Sequence, residues 1–233
     1  MVAIEGAVVL VTGGSRGLGR AFVDAAYARG AKKIYATARD PRTITHPGAV
    51  PLALEVTDPA AVTSAAGVAH DVTVLINNAG GYIGTPFLGG DVEAVRQEFE
   101  TNFYGPLRLT QAFAPVIAAN GGGHVLNVAS VLSWFALGGS YAASKAALWS
   151  LTNSLRVELH PRGIGVTSLH VGYIDTDMAA AVDAEKADPR EVAELALDGV
   201  EAGAFEVLAD EITRQVKAGL AGDPAGLYPE LVP

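Results

Sequence analysis

The chain contains no cysteine, which excludes disulfides, a thiolate nucleophile and a cysteine-bound metal. Its histidines are scattered and form no metal-ligand pattern such as His-Glu-x-x-His, so no metal site is expected. Basic side chains are also scarce, and the net charge of −9 argues against a nucleic acid as partner. The histidines are His46, His70, His124, His160 and His170.

Long apolar runs are absent as well. The apolar run 7–11 is too short to cross a membrane, and it follows Glu5 and leads directly into glycines, unlike a signal peptide. The default expectation is a cytoplasmic protein with no membrane partner. Apolar residues are nevertheless plentiful: they make up 50% of the 233 residues, which is enough for the core of one α/β domain.

Short, almost uniformly apolar segments alternate with segments of helical periodicity. The predicted strands are 7–11, 33–38, 50–56, 72–76, 124–128 and 165–170. The predicted helices are 20–29, 59–69, 92–107 and 141–159. This alternation predicts a doubly wound parallel sheet with helices on both faces, in a single domain over residues 1–233. A tail rich in glycine and proline, from Gly219 onward, is expected to be irregular.

A glycine-rich turn, 12–19, joins the first strand to the first helix. Gly13 and Gly17 are expected to take backbone angles closed to other residues, and Gly19 to let the helix approach the strand. The N-terminus of the following helix offers free amides to a pyrophosphate. A glycine turn in this position predicts a dinucleotide-binding fold of the Rossmann type.

The residues after the second strand indicate which dinucleotide is bound. NAD sites usually place an acidic residue there to bind the ribose 2′-hydroxyl. Here the strand ends at Arg39, with Asp40 one position later, and Arg16 lies in the glycine turn. Two guanidiniums suit a 2′-phosphate, which favours NADP(H) over NAD(H). The alternative is that Arg39 is merely exposed and pairs with Asp40.

Tyr141 and Lys145 are four residues apart in a helical segment, which places them on one face of the helix. An ammonium near a phenol lowers the pKa of the phenol and makes the pair an acid–base group for an alcohol or a carbonyl. The spacing occurs by chance on many helices, so it indicates function only together with other motifs.

Together, these motifs resemble the short-chain dehydrogenase/reductase family, in its single-domain subgroup, over residues 6 to about 178. The resemblance implies a catalytic tetrad. In it Asn102 helps to hold a water in a proton relay, and Ser130 hydrogen-bonds the substrate oxygen. Tyr141 is the acid/base, and Lys145 lowers its pKa and binds the nicotinamide ribose. Taken singly, Asn102 is equally read as a helix cap or kink and Ser130 as the end of a strand.

The resemblance also implies where the cofactor is held. The segment 77–80 matches the family's Asn-Asn-Ala-Gly signature, and the segment 172–176 matches the one that holds the nicotinamide carboxamide. The implied cofactor residues are Gly13, Ser15, Arg16, Gly17, Leu18, Gly19, Arg39, Glu55, Val56, Asn78, Ala79, Gly80, Tyr141, Lys145, Gly172, Ile174 and Thr176. Singly, Thr176 is equally read as a helix N-cap.

The chain departs from the family pattern at several positions. Val171 stands where the family usually has proline, and Glu55 where it usually has aspartate, which affects a nicotinamide and an adenine contact. Ser130 and Tyr141 are only eleven residues apart, which predicts a shortened loop and a reshaped pocket. Ser133 is an alternative catalytic serine, but Ser130 directly follows the strand and is preferred.

The expected reaction interconverts a carbonyl and a secondary alcohol on a small substrate. Its pocket is expected to be lined by Ser130, Trp134, Phe135, Leu137, Tyr141 and Tyr173. A helical lid is expected over 177–203, where many alanines suggest an apolar or aromatic substrate or merely pack helices. The resemblance implies a homodimer or homotetramer. Two alternatives stay open: an NAD-dependent alcohol dehydrogenase of the same family, and a non-catalytic sensor that binds NADP.

Overall fold

The computed structural model of the chain describes residues 2–228. Its strands are β1 Val8–Val11, β2 Lys33–Ala38, β3 Val50–Ala53, β4 Val74–Asn77, β5 Gly123–Val128, β6 Ile164–His170 and β7 Glu206–Leu208. They form one parallel sheet in the order β3-β2-β1-β4-β5-β6-β7. The strand order reverses between β1 and β4, and open α/β sheets bind ligands beyond the carboxyl ends of the strands at such a point.

Seven helices lie among the described residues. They are α1 Gly17–Ala28, α2 Pro59–Val68, α3 Val92–Phe99, α4 Gly105–Ala119, α5 Ser140–Leu159, α6 Pro189–Ala202 and α7 Glu211–Gly219. An aspartate side chain caps the first turn of α2, α3, α6 and α7, as expected for residues that accept hydrogen bonds from free helix amides. Among residues 2–228, no side chain caps α1, so its first amides have no side-chain partner there.

The alternation of apolar residues in β1 builds a core on each face of the sheet. Val9 and Val11 pack with α1 and α6, whereas Val8 and Leu10 pack with α2, α4 and α5. Because both faces are covered, β1 is buried along its whole length. These findings confirm the predicted fold class, a Rossmann-type parallel sheet between two helical layers.

Local turns shorten or interrupt two predicted elements. The third strand, predicted over 50–56, ends at Ala53. Beyond it, the Glu55 carboxylate accepts hydrogen bonds from the backbone N and the hydroxyl of Thr57, at 3.2 and 3.1 Å, and turns the chain away. The predicted helix 92–107 is divided into α3 and α4 by a π-helical turn, Glu100–Tyr104. The sequence patterns predict neither β7 nor α7, which are short.

The predicted lid over 177–203 is wrong in its second half. Helix α6 packs on α1, and its buried side chains join the core beneath the sheet. Arg29, in the turn after α1, binds Glu194, Asp198 and Glu201 on α6 at 2.5 to 2.8 Å. These contacts hold α6 in the helical layer. Only the segment 177–188, which begins with one 3-10 turn, remains available as a lid.

The predicted irregular tail from Gly219 is only partly described. After α7 the chain forms a short turn and then the 3-10 helix Pro224–Leu227, and residues 229–233 lie outside the described residues. Within residues 2–228, no helix has the length and apolar character needed to cross a membrane.

Candidate active site at the carboxyl edge of the sheet

The glycine turn brings the chain from β1 into α1 with the backbone angles predicted for it. Gly13 and Gly17 have φ of +66° and +53°, in the left-handed region that favours glycine. A Cβ on Gly19 would lie only 2.0 Å from the carbonyl oxygen of Gly13, so any other residue there would force the helix away from the strand. The turn leaves the N-terminus of α1 open at the sheet edge.

The loop after β4 is fixed to this turn through Thr12. The hydroxyl of Thr12 accepts hydrogen bonds from the backbone N of Asn78 and of Ala79, both at 2.9 Å. The side-chain amide of Asn78 donates to the carbonyl oxygen of Thr12 at 2.9 Å. These bonds place the predicted Asn-Asn-Ala-Gly segment beside the glycine turn.

Two guanidiniums lie near the turn, those of Arg16 and Arg39. Arg16 is exposed and pairs with Asp177, at 2.7 Å, at the start of the segment 177–188. Asp40 binds Arg42 rather than Arg39, so the alternative pairing of Arg39 with Asp40 is wrong. Within the described part of the chain, Arg39 is exposed and makes no ion pair.

Asn102 is buried in the π-helical turn, with 1% of its surface exposed. Its side-chain oxygen accepts from the backbone N of Gly81, and its side-chain nitrogen donates to the carbonyl of Gly81, both at 2.9 Å. The same nitrogen donates to the hydroxyl of Ser144 on α5 at 3.1 Å. A π turn adds a residue to the helix, and here it aims Asn102 at the loop after β4.

Lys145 and Tyr141 occupy one face of α5, as their spacing predicts. The ammonium of Lys145 donates to the carbonyl of Val128 at 2.8 Å and lies 5.6 Å from the centre of the Tyr141 ring. Ser130 follows β5 and is buried; its hydroxyl accepts from the backbone N of Leu132 at 3.1 Å. The Ser130 side chain lies close enough to the Tyr141 phenol to lower its pKa.

The alternative serine, Ser133, is placed differently. It is buried, and within residues 2–228 its hydroxyl has no hydrogen-bond partner. Its backbone N donates to the carbonyl of Ser130 at 3.0 Å. The serine whose side chain acts on the Tyr141 phenol is Ser130, which supports the preferred assignment.

The expectation that Lys145 lowers the pKa of Tyr141 is wrong. Burial raises the pKa of Tyr141 to about 12, and the nearby Ser130 side chain only partly opposes this. The charge of Glu98 and the nearby Tyr82 raise it further. Burial lowers the pKa of Lys145 to about 8, because the ammonium loses its hydration. Lys145 bonds to a backbone carbonyl rather than to the phenol, so desolvation decides both pKa values.

Several predicted cofactor residues surround this cluster. A Cβ built on Gly80 would lie 3.2 Å from the Asn102 side-chain oxygen and 3.7 Å from the Lys145 ammonium. One built on Gly17 would lie 3.1 Å from the Thr176 methyl group, so the segment after β6 reaches the glycine turn. Ile174 forms a backbone bridge with Ala187, which joins the two ends of the segment between them.

Other predicted cofactor residues are engaged in local structure. The backbone N of Gly172 donates to the Asp210 carboxylate at 2.6 Å, which holds the start of α7 against the end of β6. Glu55 turns the chain after β3, and Val56 is buried near Gly105, at the start of α4. Ser15 is half-buried and Leu18 is buried in the glycine turn and the first turn of α1.

Trp134 does not line the predicted substrate pocket. It is 8% exposed, and its ring stacks on His170 with a centroid separation of 4.0 Å. Lys217 of α7 lies 4.5 Å from the ring centre, and Trp149 packs against its edge. This packing behind Ser130 contradicts the predicted contact between Trp134 and substrate. An aromatic residue close in sequence to the proposed catalytic serine suggests a substrate pocket, whereas in the structure α7 buries Trp134.

Phe135, Leu137 and Tyr173 have different surroundings. Phe135 stacks on Tyr228, with the ring centres 5.4 Å apart, and is therefore occupied by the tail. Leu137 and Tyr173 are about half exposed, at 53% and 50%, and remain free to meet a substrate.

Two residues near Tyr141 were not predicted. The ring of Tyr82 lies 5.1 Å from that of Tyr141, tilted by 59°. Glu98 is 1% exposed and its carboxylate accepts hydrogen bonds from the loop that carries Tyr82. The available signal for Glu98 was its position four residues before Asn102, on the same helix face. Within the described ranges, no group of three histidine, aspartate or glutamate side chains is arranged to hold a metal.

The site has the features that a dinucleotide requires: an uncapped helix N-terminus, glycines whose side chains would block the approach, and a buried lysine and tyrosine nearby. The sequence model described as short chain dehydrogenase matches residues 7–187. The short-chain dehydrogenase ptmH of Penicillium ochrochloron is 38% identical over 189 residues, which cover 74% of this chain and 68% of that protein.

Two further proteins are similar over most of the chain. The 3-oxoacyl-[acyl-carrier-protein] reductase FabG of Escherichia coli is 36% identical over 76% of this chain and 78% of its own. The crystal structure of a short-chain dehydrogenase from Burkholderia cenocepacia, in complex with NADP, is 39% identical with a TM-score of 0.94 and covers 100% of both chains. The chain belongs to the short-chain dehydrogenase family of oxidoreductases.

Proposed function

We propose that the protein is an NADP(H)-dependent oxidoreductase that interconverts a carbonyl and a secondary alcohol on a small, apolar substrate. The observation that carries this proposal is the convergence of Ser130, Tyr141, Lys145 and Asn102 at the carboxyl edge of the sheet. Their hydroxyl, phenol, ammonium and amide groups form one cluster beside the glycine turn. Separate structural roles would not require all four to meet.

The glycine turn and the free amides of α1 would hold the pyrophosphate, and the residues around Lys145 would hold the nicotinamide end. When bound, the reduced cofactor supplies the hydride. We assign the same residues to it as the family resemblance implies, from Gly13 to Gly19 at one end and from Gly172 to Thr176 at the other. Glu55 and Val56 lie after β3, at the proposed adenine end.

The protein's own groups handle the proton. The hydroxyls of Ser130 and Tyr141 donate hydrogen bonds to the substrate carbonyl oxygen, and Tyr141 protonates the oxygen as negative charge develops there. With its raised pKa, Tyr141 is protonated at neutral pH, so it holds the proton that the reducing direction needs. The Lys145 ammonium stabilises the phenolate that remains, and Asn102 supports the return of a proton through water.

Arg16 and Arg39 support NADP(H) over NAD(H). Both guanidiniums are exposed near the ends of β1 and β2, where the ribose 2′-phosphate would lie. The similar Burkholderia protein was crystallised with NADP, which supports the same choice. An NAD-dependent alcohol dehydrogenase would have less need of these two cations, and a sensor without turnover would have no need of the proton-handling set.

The decisive experiment measures oxidation of NADPH and of NADH by the purified protein against a panel of aldehydes and ketones. The Tyr141→Phe variant is measured alongside, with Tyr27→Phe as the matched control because Tyr27 is exposed on α1. Turnover that prefers NADPH and is lost only in Tyr141→Phe is the expected result. Turnover that survives in Tyr141→Phe refutes the assignment, and NADPH binding without turnover across the panel favours the sensor. A homodimer or homotetramer in the cytoplasm stays a prediction.

A further inference from the structure

Glu98 is a buried carboxyl group whose hydrogen bonds all lead to two neighbouring elements. Its oxygens accept from the backbone N of Ile83 at 2.6 Å and from the backbone N of Gly84 at 3.2 Å. They also accept from the hydroxyl of Ser140, the first residue of α5. An acceptor-only carboxylate fits these donors, and burying it is costly unless they are all satisfied.

The segment Gly81–Thr85, here named the Tyr82 loop, is joined to α5 at its far end too. The Ser140 hydroxyl accepts from the backbone N of Thr85, and the backbone N of Ser140 donates to the Thr85 carbonyl, both at 3.0 Å. Asn102 holds the near end of the loop at Gly81. The loop therefore depends on Glu98 and Ser140 for its position relative to Tyr141, which follows Ser140 directly.

Tyr82 is the side chain that this arrangement presents. Its ring leans on the ring of Tyr141, yet 54% of its surface is exposed. A Cβ built on Gly138 would lie 3.3 Å from the Leu132 side chain and 3.8 Å from the Tyr82 ring, so the loop before α5 passes close to both. The exposed ring of Tyr82 is thus an apolar, flat wall next to the hydroxyl that meets the substrate.

We propose that Tyr82 is a specificity-determining residue that favours carbonyl substrates with a flat, aromatic substituent, and that Glu98 is the positioning residue that holds Tyr82 over Tyr141. This inference rests on the proposed function of Tyr141. Aromatic groups prefer offset or edge contacts with a second ring, and the tilt between Tyr82 and Tyr141 leaves the outer face of Tyr82 for such a contact.

A kinetic experiment tests the specificity with two ketones of similar size, acetophenone and the non-planar cyclohexyl methyl ketone. The wild type is expected to favour acetophenone in kcat/KM, and Tyr82→Ala to reduce that preference about threefold to tenfold, mainly through KM. Glu98→Leu, which keeps the side-chain volume and removes both acceptor oxygens, should reduce the preference for acetophenone similarly. Because Glu98 acts through Tyr82, the double variant should show no further loss. Unchanged preference in Tyr82→Ala, or additive losses, would overturn the inference.

Hydrogen exchange tests the positioning role without turnover. The amides of Ile83 and Gly84 should exchange faster in Glu98→Leu, whereas Glu98→Gln, which retains an acceptor oxygen, should restore protection and preference. Glu100→Gln is the matched control, because Glu100 lies only two residues after Glu98, at the start of the π-helical turn, and binds the partly exposed Arg108 instead. Unchanged exchange in Glu98→Leu would overturn the role of Glu98. If Glu98→Leu does not fold, Ser140→Ala probes the same link from α5.

If the wild type binds NADPH and reduces neither ketone, the wider panel of aldehydes and ketones decides the proposed function. The inference is then decided by ligand-observed NMR, which measures the binding of the two ketones to the Tyr141→Phe protein with NADPH. Preferential binding of acetophenone that is lost in the Tyr82→Ala background supports it. Equal binding of the two ketones overturns it.

Discussion

The ammonium of Lys145 is hydrogen-bonded to the carbonyl oxygen of Val128 at 2.8 Å, which fixes the lysine of α5 to the end of β5. Ser130 lies two residues beyond Val128, so one bond aligns the strand that carries the serine with the helix that carries Tyr141. The alignment comes with a cost, because Lys145 is only 5% exposed and its charge has lost most of its hydration.

This cost predicts a dependence of stability on pH. The pKa of Lys145 is lowered from 10.5 to about 8 in the folded chain, so between these values the unfolded chain binds more protons. The free energy of unfolding should therefore gain about 3 kcal/mol from this group as pH rises from 8 to above 10. In Lys145→Met this gain should be missing. Urea unfolding of both proteins at several pH values measures the difference, and parallel profiles would contradict a lowered pKa.

Replacing Tyr141 by Phe keeps the ring and its contact with Tyr82 and removes only the hydroxyl. Because a positioned acid contributes about 10²- to 10⁴-fold to a rate, kcat should fall by that order. NADPH binding, measured by the quenching of protein fluorescence, should change little. A large loss of binding would indicate that the phenol acts in holding the cofactor rather than in proton transfer.

Asn102→Ala should affect both stability and turnover. The variant leaves the half-buried N–H and C=O of Gly81 without their side-chain partners, at a cost of up to about 1–3 kcal/mol for each lost partner, and it breaks the support for the proton relay. Asn120→Ala is a matched control, since the side-chain nitrogen of Asn120 also donates to backbone carbonyls, those of His70 and Val72, but just beyond the far end of α4.

The two asparagine variants are compared by urea unfolding and by kcat. Both should lose stability, but only Asn102→Ala should lose turnover. Equal kcat in the two variants would restrict Asn102 to a structural role.

Arg39→Asp tests the choice of cofactor. If Arg39 binds the 2′-phosphate, losing a charge-assisted hydrogen bond should raise KM for NADPH about 10- to 100-fold and leave KM for NADH nearly unchanged or lower. Arg42→Asp makes the same change of charge at an exposed arginine that pairs with Asp40, and it should have a much smaller effect. Similar KM values for NADPH in both variants would contradict a specific phosphate contact at Arg39.

Local patterns were sufficient for most of the architecture. A uniformly apolar strand such as β1 indicates burial on both faces of the sheet. The glycines at positions 13, 17 and 19 indicate backbone angles and close approaches that other residues do not allow. The spacing of Tyr141 and Lys145 likewise follows from helix geometry alone. These properties depend on neighbours within a few residues, so they can be read along the chain.

Only the tertiary structure decided three other features: the surroundings of Trp134, the position of α6 and the pKa of Tyr141. His170 and Lys217 cover Trp134, and the ion pair between Arg29 and Glu194 holds α6 against α1. In each case the partners are distant from one another in sequence. Lys145 was expected to lower the pKa of Tyr141, but burial among separate elements raises it to about 12. Desolvation depends on everything packed around a group, and spacing along a helix carries no information about that packing.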